Sequence, residues 1–160
     1  AQMERSLRKS GRDVRIVNAG VSGDTSAGGR ARLAWAIAEN PDAVILELGA
    51  NDGLRGLDPK QTEVNLDVMI REIKRRKIPV LLAGMRAPPN LGAEYEVEFN
   101  GLYRRLVEKH DILFYPFFLA GVAAIPELNQ EDTIHPNAEG VAVIVGRMRP
   151  VVLRLINRAR

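Results

Sequence analysis

Apolar residues recur along this chain in two alternating rhythms. Leu66, Met69, Ile70 and Ile73 follow the 3.6-residue period of a helix buried on one side, as do Phe99, Leu102, Tyr103 and Leu106. Val141, Val145, Met148, Val152 and Leu155 mark a last helix that starts near Pro136-Asn137. Between the helices lie short runs that read as strands: Val14-Arg15-Ile16-Val17, residues 43–48, residues 79–84, and Ile112-Leu113-Phe114. The run over 43–48 is nearly unbroken, as expected for a strand covered on both faces. Gly11 closes a helix over 3–10, and Asn40-Pro41 ends one over about 26–39. Asp58-Pro59 opens the next as N-cap and first-turn proline. A Pro-rich loop is expected at 85–92 and a further helical stretch at about 117–124.

Strands alternating with long amphipathic helices predict an α/β fold with a parallel sheet between two helical layers. The expected architecture is a three-layer α/β/α sandwich with flavodoxin-like strand order. The chain opens on a helix that leads into a strand. A crossover helix must join two parallel strands. The pattern therefore predicts one domain over residues 1–160 whose first strand, central in flavodoxin-like order, lies outside the given sequence.

Composition narrows the classes further. With 46% hydrophobic and 27% charged residues over 160 positions, the chain has material for a sizeable core and is not a disordered segment. No run approaches 18 consecutive apolar residues, so no spanning helix is expected. Residues 1–8 carry no apolar signal-peptide core. Cysteine is absent, which excludes disulfides, thiolate nucleophiles and thiolate metal sites together. Two distant histidines, His110 and His135, make a poor ligand set, and no metal is expected. The net charge is +3, and the densest cationic cluster, Lys74-Arg75-Arg76-Lys77, reads as a solvated helix C-terminus that complements the dipole. A basic stripe with interleaved aromatics is missing, so nucleic acid is not an expected partner. Nothing in the pattern bears on oligomeric state.

Ligand sites of open α/β sheets gather at the carboxyl ends of the strands. Three polar segments fall there: residues 20–26, residues 49–53, and residues 131–137 before the last helix. The first lacks both the lysine of a P-loop and the G-x-G-x-x-G spacing, so no nucleotide cofactor, and no other cofactor, is expected. Asp132-x-x-His135 lets a carboxylate accept from imidazole Nδ1–H, which fixes the tautomer and leaves Nε2 as a base. The same spacing also suits a helix entry with a surface histidine. His110 follows Glu108-Lys109 at a helix end, where capping is the expected role.

Taken together, Ser22-Gly23-Asp24-Thr25-Ser26, Gly49-Ala50-Asn51-Asp52 and Asp132-Thr133-Ile134-His135-Pro136-Asn137 make a specific set. In this order they resemble the blocks of the SGNH (GDSL-type) hydrolase superfamily. Residues 47–56 are especially similar to its bacterial thioesterase/lysophospholipase and arylesterase subgroup, and the resemblance spans essentially the whole chain. It implies that the Gly23 N–H and the Asn51 amide face the developing oxyanion, each such donor being worth ~3–4 kcal/mol. It implies that His135 is the general base and then the acid, and that Asp132 orients it and stabilises its imidazolium.

The superfamily's first block, which carries the nucleophilic serine at the end of the first strand, has no counterpart here. The four serines are Ser6, Ser10, Ser22 and Ser26, and none stands in such a block. The expectation is a serine hydrolase of small acyl esters, acyl thioesters or lysophospholipids whose nucleophile lies upstream of Ala1, so that residues 1–160 alone are inactive. Acyl transfer at the same site, and a binding module that has lost its nucleophile, are the alternatives. The 85–92 loop with Phe117 and Phe118 offers an acyl surface; equally, the phenylalanines fill the core and Pro88-Pro89 stiffens a turn. The resemblance also suggests periplasmic or secreted location.

Overall fold

A computed structural model describes residues 1–159. In chain order the elements are α1 (Gln2–Lys9), α2 (Ser26–Ala36), β1 (Val44–Glu47), α3 (Ala50–Leu54), α4 (Pro59–Arg75), β2 (Val80–Ala83), α5 (Ala93–His110), β3 (Leu113–Tyr115) and α6 (Ala138–Arg158). The strands form one parallel sheet in the order β1-β2-β3, with Val44 opposite Val80 and Leu81 opposite Leu113.

The period-2 alternation of β2 builds both halves of the core. Val80 and Leu82 join Leu33, Ile37, Leu66, Met69, Ile70, Ile73, Phe99 and Leu102 beneath α2, α4 and α5. Leu81 and Ala83 point the other way, into Leu7, Val122, Ile144, Met148 and Val152 beneath α1 and α6. The α/β/α sandwich is thus the observed architecture. Among the described residues, no helix is long and apolar enough to cross a membrane.

The helix starts follow the sequence closely. Thr25 Oγ1 accepts from the Gly28 N–H, Asp58 from Lys60, and Asn137 Oδ1 from both Glu139 and Gly140 at 3.0 Å. The α2 helix ends at Ala36, a turn earlier than the sequence suggests, and Asn40 sits at φ 49° ahead of Pro41.

Three expectations are corrected. Residues 14–17 form no strand and lie outside the sheet: the Val14 carbonyl accepts from Arg8 Nε (2.9 Å), and the Ile16 N–H donates to Glu4 (2.7 Å). Side chains of α1, rather than a neighbouring strand, satisfy that backbone, and Val17 is exposed. Residues 117–124 form successive turns instead of a helix, because Gly121 at φ 80° and Ala124 at φ 61° leave the right-handed region. The 49–53 segment follows β1 and leads directly into α3, which takes in residues 50–53. Gly49 caps α3 at φ 107°, where a Cβ would run into the Tyr103 hydroxyl.

His110 is the third. It is buried, and its Nε2 lies 2.6 Å from Asp67 Oδ1, so it ties α5 to α4 rather than capping its own helix. Burial pushes the Asp67 carboxyl up, but hydrogen bonds from Lys109 and His110 outweigh it and hold that group below the usual carboxylate range. The cationic end of α4 is exposed, as expected, and within it Lys74 Nζ donates to the His110 carbonyl and Arg76 to the Ile37 carbonyl (3.2 Å).

Leu82 is fully buried in the middle of the central strand. Leu82→Ala should lower unfolding free energy by about 2–5 kcal/mol in a urea titration. Trp35→Ala, at a side chain 73% exposed on α2, should stay within about 0.5 kcal/mol.

Candidate active site

The 129–137 segment is held from both ends before its functional residues are placed. The Gln130 N–H donates to the His135 carbonyl (2.8 Å), Asn129 pairs with Pro136 in an antiparallel bridge, and Asn129 Nδ2 donates to the carbonyls of Val122 and Ile125. Inside this frame Asp132 Oδ1 accepts the N–H groups of Ile134 (3.0 Å) and His135 (2.9 Å). Its Oδ2 lies 2.6 Å from His135 Nδ1. The two backbone bonds and the ring contact hold the Asp132 carboxyl at about 2, so it is ionised through the whole neutral range. An ionised carboxylate only accepts, which places the proton on Nδ1 and the lone pair on Nε2. The His135 side chain is 64% exposed. The arrangement leaves an exposed imidazole with Nε2 available to accept a proton, on a loop locked by its own hydrogen bonds.

A second pair forms where the 20–26 segment meets α3. Asn51, in the first turn of α3, donates from Nδ2 to the Asp24 carbonyl at 2.9 Å. Arg55 donates to the Gly23 carbonyl (3.0 Å), and Arg32 Nε binds Asp24 Oδ2 at 2.6 Å. One amide hydrogen of Asn51 is thereby fixed; the other, like the Gly23 N–H, has no acceptor among the described residues. Two oriented donors without an intramolecular acceptor can receive a developing oxyanion. Gly23 sits at φ 76° with open space where a Cβ would stand, so left-handed backbone, not crowding within the chain, is what favours glycine there.

Asp132 and His135 are in direct contact, whereas Asn51 meets the 20–26 segment at Asp24, the residue after Gly23. No hydrogen bond among the described residues joins one pair to the other. The serines are engaged elsewhere or stand apart. Ser26 is buried and its hydroxyl donates to Asp52 at 2.5 Å; Ser10 donates to the Leu7 carbonyl; Ser6 lies in α1; Ser22 is exposed beside Gly23. Phe118 packs against both halves of the core, whereas the Arg86 guanidinium lies 4.8 Å from the Phe117 ring centre.

Sequence reasoning missed the buried polar cluster behind Asn51. Asp52 accepts from the Ser26 N–H (2.8 Å), the Ser26 hydroxyl and Thr62 Oγ1 (3.1 Å), while Asn65 Nδ2 donates to Ser26 Oγ (3.0 Å). A signal was present: Thr62 and Asn65 interrupt the apolar stripe that Leu66, Met69 and Ile73 continue, and polar residues on a core face need a polar partner.

Residues 1–143 match the GDSL-like lipase/acylhydrolase family. The chain is 43% identical over 137 residues to the esterase TesA of Pseudomonas aeruginosa, covering 85% of this chain and 68% of that one. It is 38% identical over 143 residues to a thioesterase/protease/lysophospholipase of Escherichia coli, covering 89% and 69%. A crystal structure of TesA superimposes with a TM-score of 0.90 at 39% identity, over 96% of this chain and 86% of that one.

Lowering of the Asp132 carboxyl is led by the backbone N–H of His135, then by its ring. A carboxyl-carbon NMR titration should therefore place Asp132 near about 2. In His135→Ala the value should rise only part of the way, because the backbone donors remain. The ordering that the carboxylate contributes to the loop is present above its ordinary range and is lost as pH falls toward the lowered value.

Proposed function

This chain belongs to the GDSL-like lipase/acylhydrolase family, and we propose that it hydrolyses carboxylic ester or thioester bonds through a Ser-His-Asp arrangement. The carrying observation is the His135–Asp132 pair, with Nδ1 taken by an ionised carboxylate and Nε2 turned outward. Nε2 removes the proton of a serine hydroxyl as that oxygen attacks the acyl carbon. Negative charge moves to the former carbonyl oxygen, where the Gly23 N–H and the second Asn51 amide hydrogen donate to it. The imidazolium, stabilised by Asp132, then protonates the departing alcohol or thiol. Water repeats the sequence on the acyl-enzyme and regenerates the serine.

The serine in this reading is supplied from outside residues 1–160. Ser26 spends its proton on Asp52, Ser10 spends its own on a helix carbonyl, and Ser6 belongs to α1. Ser22 stands in the block whose part is a backbone donor. The substrates fitting this reading are small acyl esters, acyl thioesters or lysophospholipids, in line with the names of the relatives. Phe117, with Arg86 stacked on its ring, is the better candidate for acyl contact, since Phe118 is given to the core.

In the full-length protein, His135→Ala should abolish turnover of a p-nitrophenyl acyl ester. His110→Ala should lower stability through the Asp67 contact while leaving turnover near normal. Asn51→Ala should lower kcat by roughly 10²–10³-fold with a smaller change in KM. Normal turnover in His135→Ala would remove the base from this assignment. A fluorophosphonate probe on residues 1–160 alone should label none of the four serines. Labelling of Ser22 with turnover would place the nucleophile inside this chain, and no serine labelling in the full-length protein would favour a binding module.

A further inference from the structure

We propose that Asp52 is a positioning residue that sets the separation between the two oxyanion donors, an inference that rests on the oxyanion reading of Gly23 and Asn51. Asp52 follows Asn51 in α3 and is 2% exposed. Its Oδ2 accepts the backbone N–H of Ser26, the first residue of α2, at 2.8 Å. Two residues back along the chain, the Asp24 carbonyl accepts from Asn51 Nδ2 at 2.9 Å. Asn51-Asp52 on one side and Asp24-Thr25-Ser26 on the other are therefore joined by two rungs and close a small ring. Gly23 is the residue that leads into that ring, and Asn51 is one of its members.

The rungs differ in kind. Asn51 to Asp24 is part-buried and formed by the amide that also serves the oxyanion. Asp52 to Ser26 is fully buried and formed by a side chain that follows Asn51 in α3. Oδ1 of the same carboxylate accepts from the Ser26 and Thr62 hydroxyls, and Arg30 donates to Asn65, which donates to Ser26 Oγ. Every polar group in the cluster has a partner, so the carboxylate is held from several directions. Such a group has little freedom to shift, and donor placement to within an ångström is worth about 10²-fold in rate. Asp52 itself does not reach the substrate in this arrangement; it acts through the backbone of Ser26 and through α3.

Steady-state kinetics of the full-length protein with a p-nitrophenyl acyl ester test this. Asp52→Ala should lower kcat by roughly 10–10²-fold with KM within about 3-fold, and Asp52→Asn, whose carbonyl can still accept the Ser26 N–H, should return kcat to within about 5-fold of the parent. Ser26→Ala and Thr62→Val should lower thermal stability yet keep kcat within about 3-fold, because the backbone rung survives both. If Asp52→Ala does not fold, its combination with Ser26→Ala and Thr62→Val, which removes the stranded hydroxyls, should fold and show the same kcat loss. On an Asn51→Ala background, Asp52→Ala should cost less than about 5-fold, since one of its two dependants is already gone. If kcat is unchanged in a folded Asp52→Ala variant, or its effect multiplies fully with that of Asn51→Ala, the positioning role is overturned and the oxyanion reading stands. If Asn51→Ala itself leaves kcat unchanged, the oxyanion reading falls and takes the proposal with it.

Discussion

Complete burial of β2 on both faces is the constraint from which the rest follows. Val80, Leu81, Leu82 and Ala83 are each within 2% of full burial, and they send alternate side chains into two separate clusters. A strand in that position must be parallel to both neighbours when every connection is a helical crossover. Parallel strands end together. The segments after β1, β2 and β3 therefore emerge on one edge, and they carry, in order, Asn51, Arg86, and Phe117 with the 129–137 loop. The candidate chemistry collects there because the core leaves it no other edge.

What was legible in the sequence had a local physical cause. Helix stripes at 66–73 and 99–106, caps at Asp58 and Asn137, and the strands around Leu46, Leu82 and Leu113 follow from periods and from short-range hydrogen bonding. The Asp132–His135 contact was legible for the same reason, since three residues of loop bring carboxylate and ring together. Residues 14–17 had the composition of a strand, but a strand is defined by its partner, and composition carries no partner. Residues 117–124 were apolar enough for a helix, yet Gly121 and Ala124 turn left-handed while Val122 anchors in the core. Tertiary contact decided that segment against its local preference.

The illegible part of the site depends on distance along the chain. Asp52 and Ser26 are 26 positions apart, Asn51 and Asp24 27, and His110 and Asp67 43. No spacing rule relates such pairs. Each polar residue read alone suggests surface, turn or cap, which is why His110, at the end of α5, reads as a cap and not as the partner of Asp67. Only the interruption of the α4 stripe by Thr62 and Asn65 hinted that a buried acceptor was waiting opposite.

The two halves of the candidate site therefore have different physical foundations. The base pair is made within one loop: Asp132 is oriented by backbone N–H groups of Ile134 and His135, and the frame is closed by Gln130 and Asn129 a few residues away. Its geometry owes little to the sheet. The contacts around the candidate donors Gly23 and Asn51 are made where the approach to α2 meets α3, both packed on α4, and these bonds are long-range and partly or fully buried. Net hydrogen-bond contributions of about 0.5–1.5 kcal/mol each are small against the stability of a domain, but a ring of them fails together when one side moves. Loosening of the sheet edge would therefore reach Gly23 and Asn51 while Asp132 still holds His135. In such a state the Asp132–His135 contact persists while the Asn51–Asp24 contact is lost.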